Sequence, residues 1–197
     1  MRMNIKFVGL VLFATAGANG VFAQSNPVPV APMKLDGQWS YRFDPEDKNP
    51  AEGVAPPLTA DGNTEFPGTT DTRGIGPVNS EASEFHLTRA YKYRGAVWFE
   101  REVEIPPAWA GQSVTLEMER VQWESRVWVD GRPAGMQDSL STPHCHDLTG
   151  LLTPGRHRLT LRIDNRMKYV IHHSLGTWPL GFAPTPAMER PAARSDR

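Results

Sequence analysis

Cysteine is nearly absent from this 197-residue chain: Cys145 stands alone, so no intrachain disulfide framework can form. Charge of one sign is lacking too. With 21 basic and 22 acidic residues the formal net charge is −1, which gives a polyanion such as nucleic acid nothing to hold. No apolar run is long enough to cross a bilayer, which takes about 20 residues. The longest runs from Phe7 through Ala18 and is interrupted by Gly9, Thr15 and Gly17. Internal repeats and coiled-coil heptads are also missing, and so is any convincing long amphipathic helix.

What the N-terminus does contain is an export pattern. Arg2 and Lys6 precede the apolar run, and Val21-Phe22-Ala23 before Gln24 has the small-residue form of a cleavage site. Residues 1–23 are therefore expected to be a signal peptide, giving a secreted or periplasmic product. The residue next after the cleavage point is Gln24 and not a cysteine that could carry a lipid, so no membrane anchor is expected. Cleavage removes Arg2 and Lys6, leaving 19 basic against 22 acidic residues, a net charge of −3. The 174 residues that remain suit one domain with one core.

Strand signals dominate the middle of the chain. In 96–105, Val97, Phe99, Val103 and Ile105 alternate with Glu100, Glu102 and Glu104, the period-2 pattern of a half-buried strand. The same pattern recurs in 113–121, where Val114, Leu116 and Met118 alternate with Thr115, Glu117 and Glu119. It recurs again in 157–164, with Leu159, Leu161 and Ile163 inward and Arg158, Thr160 and Arg162 outward. Asp130-Gly131 after Val127-Trp128-Val129 fits a tight hairpin turn, and Pro154-Gly155 a type II turn. Asp147 before Leu148-Thr149 fits the cap of a single helical turn. A further strand is expected over 35–43, followed by a proline-rich loop draped over the sandwich. The fold class predicted is all-β, a two-sheet sandwich or jelly roll.

The candidate chemistry is sparse. Glu100, Glu102 and Glu104 tempt a glycosidase reading, because a retaining pair sits ~5–5.5 Å apart. As i, i+2 neighbours on one strand face they are read instead as a charged surface, and no catalytic residue is assigned. Ser139 or Ser141 with His144 and Asp147 lacks a nucleophile elbow and is read as local turn bonding. His144-Cys145-His146 does not suit a metal, since alternation puts the two histidines on one face and Cys145 on the other. Cys145 is expected to be a mostly buried thiol. No metal or cofactor is expected.

Taken in order, Leu35-Asp36-Gly37-Gln38-Trp39, Gly95-Ala96-Val97-Trp98-Phe99-Glu100-Arg101, Ile105-Pro106 with Trp109, Val127-Trp128-Val129-Asp130-Gly131 with Gly135, Asp147-Leu148-Thr149 and Arg162-Ile163-Asp164-Asn165 resemble the sugar-binding domain of family 2 glycoside hydrolases, the β-galactosidase and β-glucuronidase group. The resemblance spans 35–165. It implies a galactose-binding-like jelly roll whose relatives carry their two catalytic glutamates in a separate barrel of ~250 residues.

On that resemblance the organisation expected is a signal peptide over 1–23, a flexible segment over 24–34, a sugar-binding sandwich over 35–174 and a disordered proline-rich tail over 175–197. The sandwich is expected to be incomplete at its C-terminal strand. The function implied is an ancillary carbohydrate-binding domain, a fragment without its catalytic barrel and inactive alone. Carbohydrate and a missing or separately encoded barrel are its implied partners. The alternatives are an interaction fragment without a ligand and the non-catalytic part of a split glycosidase. Aromatic rings stack on pyranose faces while polar neighbours hold hydroxyls. The sugar-contact candidates are accordingly Trp123, Glu124 and Arg73, whereas Trp39, Trp98 and Trp128 are assigned to packing.

Overall fold

The computed structural model describes residues 1–8, 32–47, 53, 55, 57–81 and 88–166. Among these the regular elements are ten strands and one 3-10 turn. They are β1 (Arg2–Val8), β2 (Met33–Lys34), β3 (Gly37–Asp44), β4 (Gly62–Phe66), β5 (Ala96–Ile105), β6 (Ser113–Glu119), β7 (Glu124–Val129), β8 (Arg132–Gln137), β9 (His144–Asp147) and β10 (Gly155–Asp164), with the 3-10 turn at Pro107–Trp109. They form two antiparallel sheets, a four-stranded one in the order β2-β1-β6-β9 and a six-stranded one in the order β4-β3-β5-β10-β7-β8.

Alternation decides which residues meet between the sheets. Phe99, Val103, Val127, Leu159 and Leu161 from the larger sheet and Val114, Leu116 and Met118 from the smaller one are all buried in a single cluster. Removing such surface from water contributes roughly 25 cal/mol per Å². The ring of Phe99 lies edge-on to Phe66 at 5.1 Å, and Trp39 lies edge-on to Phe66 at 5.9 Å. The longest pairing, β5 with β10, runs from Gly155–Ile105 to Asp164–Ala96.

The turn chemistry follows the sequence. Asp130 and Gly131 both have positive φ, 50° and 82°, between β7 and β8, as a type I′ hairpin demands. Thr149 donates its backbone N–H to Asp147 Oδ1 at 2.9 Å, and Leu151 and Leu152 both donate to the Leu148 carbonyl, closing the short turn after β9.

Three expectations are corrected. Met33–Lys34, assigned to a flexible lead-in, pair with Asn4 and Ile5 as β2, because two ladder positions suffice to hold them to β1. Cys145 is exposed rather than buried: the same alternation that sends His144 and His146 inward turns the thiol out of β9. Thr160 and Arg162, assigned outward, do point away from the main core, yet both are buried, because loop residues cover that face. There Trp98 and Trp128 stack at 5.1 Å beneath Ala55 and Leu58. Their indole N–H groups donate to Asp44 Oδ2 and to the Gly53 carbonyl. Arg2–Val8, inside the expected signal segment, form β1, whereas 9–31 and the expected tail over 175–197 lie outside the described residues.

Candidate carbohydrate-binding face

The site begins where β10 ends. Arg162, Asp164 and Arg166 are two apart and share the outer side of the six-stranded sheet, and β7 places Glu124 opposite Asp164 and Arg126 opposite Arg162. Asp47, just past β3, reaches in from above. Arg162 donates from Nη1 to Glu124 Oε1 at 3.0 Å and from Nη2 to Asp164 Oδ2 at 3.0 Å and Asp47 Oδ1 at 2.6 Å. Arg166 donates to both oxygens of Asp164 and to Asp47 Oδ2, and Arg126 Nε donates to Glu124 Oε1 at 2.9 Å.

Three arginines thus meet three carboxylates, a balanced cluster rather than a trap for either sign of ion. Burial is the largest single influence and works against ionisation of Asp47 and Asp164, but the hydrogen bonds and charges of Arg166 and Arg162 together outweigh it and hold both carboxyls below their ordinary value. The same bonds push Arg166 up. Next to the cluster, Tyr93 donates to the Ala96 carbonyl, and burial pushes its phenol up to about 12.

Trp123 is pinned to this corner by its backbone, whose N–H donates to the Asp164 carbonyl at 2.8 Å. Among the described residues it is the one tryptophan left partly exposed, since Trp39, Trp98, Trp109 and Trp128 are all buried. Glu124 follows it in the chain but is 1% exposed and committed to Arg162 and Arg126. Arg73 does not join them. It follows β4, which lies four strand steps from β7 in the sheet, roughly 19 Å at ~4.8 Å each. Its guanidinium donates to the Pro67 carbonyl at 2.7 Å and pairs with Glu65.

Sequence reasoning missed Asp47, Arg162 and Arg166. The signal available was the continuation of the period-2 pattern through Arg162, Asp164 and Arg166, an alternation of charge on one face. Asp47 had no comparable signal, because it depends on how the β3 loop turns.

A second polar group lies between the sheets. Ser125 Oγ contacts His144 Nδ1 at 2.6 Å and His146 Nε2 at 2.9 Å, and His144 Nε2 donates to the Ser139 carbonyl at 2.7 Å. Burial, followed by the neighbouring His144, lowers His146 to about 4. Among the described residues no group of three or more His, Cys, Asp or Glu is placed to hold a metal. Glu100 is tied down as well, its carboxylate accepting from Thr160 Oγ1 at 2.9 Å and from the Leu58 N–H.

The fold is a two-sheet β-sandwich, and the family model for the glycosyl hydrolases family 2, sugar binding domain, matches residues 33–172. The chain belongs to that family. It is similar to the β-glucuronidase of Canis lupus familiaris, 27% identical over 144 residues, which are 68% of this chain and 21% of that protein. Among solved structures it is similar to a Faecalibacterium prausnitzii β-glucuronidase, at 26% identity and a TM-score of 0.54 over 74% of this chain and 23% of that one. It is also similar to a Bifidobacterium dentium β-glucuronidase complexed with coumarin-3-O-glucuronide, at 28% identity and a TM-score of 0.52 over 68% of this chain and 20% of that one. The chain spans about a fifth of the length of the curated relatives it matches.

Proposed function

We propose that this sandwich is an ancillary carbohydrate-binding domain of a secreted family 2 glycoside hydrolase, with hydrolysis performed by a catalytic barrel outside these residues. The observation that carries the reading is the partly exposed Trp123, whose backbone N–H is held by the Asp164 carbonyl at the end of β10. Exposed aromatic rings are the side chains on which a sugar face stacks. Glucuronides and galactosides are the ligands to try, because the resemblance is to enzymes of those classes. Export with cleavage after Ala23 is part of the same proposal.

The test is titration of the domain with phenyl glucuronide and phenyl galactoside, following tryptophan fluorescence and heat. Saturable binding that is lost in Trp123→Ala, with the fold intact, supports the proposal. Equal binding by Trp123→Ala, or none by either protein, sinks it.

A second reading is a packing module that binds no sugar. It is favoured by exposed apolar side chains, with Val78 75% exposed and Met136 and Leu140 both 45% exposed.

A further inference from the structure

His157 stands near the start of β10, opposite Val103 of β5, with 11% of its side chain in contact with solvent. Both of its ring nitrogens are engaged. Nδ1 lies 2.7 Å from Asp130 Oδ2 in the β7–β8 turn, and Nε2 lies 2.7 Å from the Thr153 carbonyl in the turn that leads into β10. A carboxylate and a carbonyl oxygen can only accept, so each short contact needs a hydrogen on the nitrogen, and only the imidazolium carries two. In this geometry the ring is the charged form, and it ties together two turns that lie far apart in the sequence. Asp130 is fixed as a carboxylate. Its Oδ1 accepts the Arg158 N–H at 2.8 Å, and its own N–H donates to the Arg158 carbonyl at 2.8 Å. Burial acts against its ionisation, but the Arg158 N–H and the His157 ring hold the carboxyl below its ordinary value. The other charges on the flanking strands are engaged elsewhere or exposed: Arg156 pairs with Glu102 and Glu104 of β5, Arg158 with Glu100, and Arg132 of β8 is exposed. Asp130 is thus the charge that decides what the ring does.

When the ring gives up its proton, one of the two contacts must go. A charged acceptor makes the stronger hydrogen bond, so Asp130 keeps the hydrogen on Nδ1, and Nε2 is left with a lone pair facing the Thr153 carbonyl. The Thr153 hydroxyl already lies 3.4 Å from Nε2, and a hydroxyl can donate where a carbonyl cannot. We propose that His157 and Thr153 form a proton-operated latch on the turn before β10: the charged ring holds the Thr153 carbonyl, and the neutral ring exchanges it for the Thr153 hydroxyl. The turn over 153–155 then takes one of two positions according to pH. Which ring nitrogen keeps its hydrogen is set by the partner of the other, as is general for histidine.

The experiment is nitrogen NMR of the full chain with isotope-labelled histidine, taken from about pH 5 to about pH 9 and read beside the backbone amide signals of Thr153 and Gly155. At the acid end both His157 nitrogens should carry hydrogen. At the alkaline end Nδ1 should keep its hydrogen and Nε2 lose it, and the two amide signals should shift with the same midpoint as the ring. His157→Gln identifies the ring signals and should abolish the step at both amides. Thr153→Val keeps the carbonyl and removes the hydroxyl, so its amides should match the wild type at the acid end and part from it at the alkaline end. Should His157→Gln fail to fold, the comparison with Thr153→Val decides alone. A neutral ring with its hydrogen on Nε2, amides that stay still while the ring titrates, or a ring that does not change charge over this range overturns the proposal. So does a Thr153→Val protein that follows the wild type at both ends.

Discussion

Arg162 and Glu124 face each other at 3.0 Å with 2% and 1% of their side chains in contact with solvent, so this ion pair is a buried one in every practical sense. Without Arg162, Glu124 keeps Arg126 and Asp47 and Asp164 keep Arg166, so one negative charge is left in excess in a buried cluster, and breaking a buried pair from one side typically costs about 3–5 kcal/mol. Arg162→Met is therefore expected to lower the stability measured by urea denaturation by about that amount. The double variant Arg162→Met with Glu124→Gln should recover part of the loss. Equal stability of wild type and the single variant would show that the cluster is solvated.

The hydrophobic core offers a second test. Phe99 lies on the inner face of β5 against Phe66, and cutting a buried phenylalanine to alanine usually costs about 3–5 kcal/mol. Phe99→Ala should lose this much in urea, while Glu102→Ala on the exposed face of the same strand should change little. A small loss at Phe99 would mean that the strand register is wrong.

Stability should also fall with pH in a defined window. His146 is held at about 4 in the folded protein against an ordinary value of 6.5. Above 6.5 neither state binds the proton, and stability is at its fullest. Between 6.5 and about 4 the unfolded chain takes the proton and the folded one refuses it, so stability is lost as pH falls. Below about 4 both states carry it and this loss stops. The shift corresponds to roughly 3 kcal/mol. His146→Gln should flatten the change in urea midpoint between pH 7 and pH 5, and an unchanged slope would assign the effect elsewhere. Asp47 and Asp164, whose folded values are depressed, add a further loss only as pH falls through their carboxylate range.

No turnover is expected from the purified domain on chromogenic galactosides or glucuronides. Retaining hydrolysis needs two carboxyl groups ~5–5.5 Å apart in a preorganised site, and Glu100 is spent on Thr160 and Leu58. Turnover that disappears in Glu100→Gln would make this strand catalytic after all.

The strands were legible because period 2 is a property of the sequence itself. Val97, Phe99, Val103 and Ile105 could be assigned to one face before any contact was known, and all four are buried. The Asp130-Gly131 turn was legible for the same reason: few residue pairs tolerate two positive φ values in succession. What could not be read was coverage. Alternation tells which side of a sheet Arg162 takes, but whether water reaches that side depends on where a distant loop comes down, and Ala55 and Leu58 carry no periodic mark. Cys145 shows the converse, since composition favoured burial and strand position decided against it. Of the three sugar-contact candidates, adjacency in sequence kept Trp123 and Glu124 together, while Arg73 needed the order of the strands to be placed.

The stacked indoles of Trp98 and Trp128 give the molecule an optical property of its own. Two such rings 5.1 Å apart and tilted by 30° couple their excited states. The resulting near-ultraviolet circular dichroism depends on that geometry, and the geometry depends on the chain segment that holds Ala55, Leu58 and the Gly53 carbonyl against them. Lifting this strap would change the signal of the pair. The protein thus carries the docking of one loop in its tryptophan spectrum.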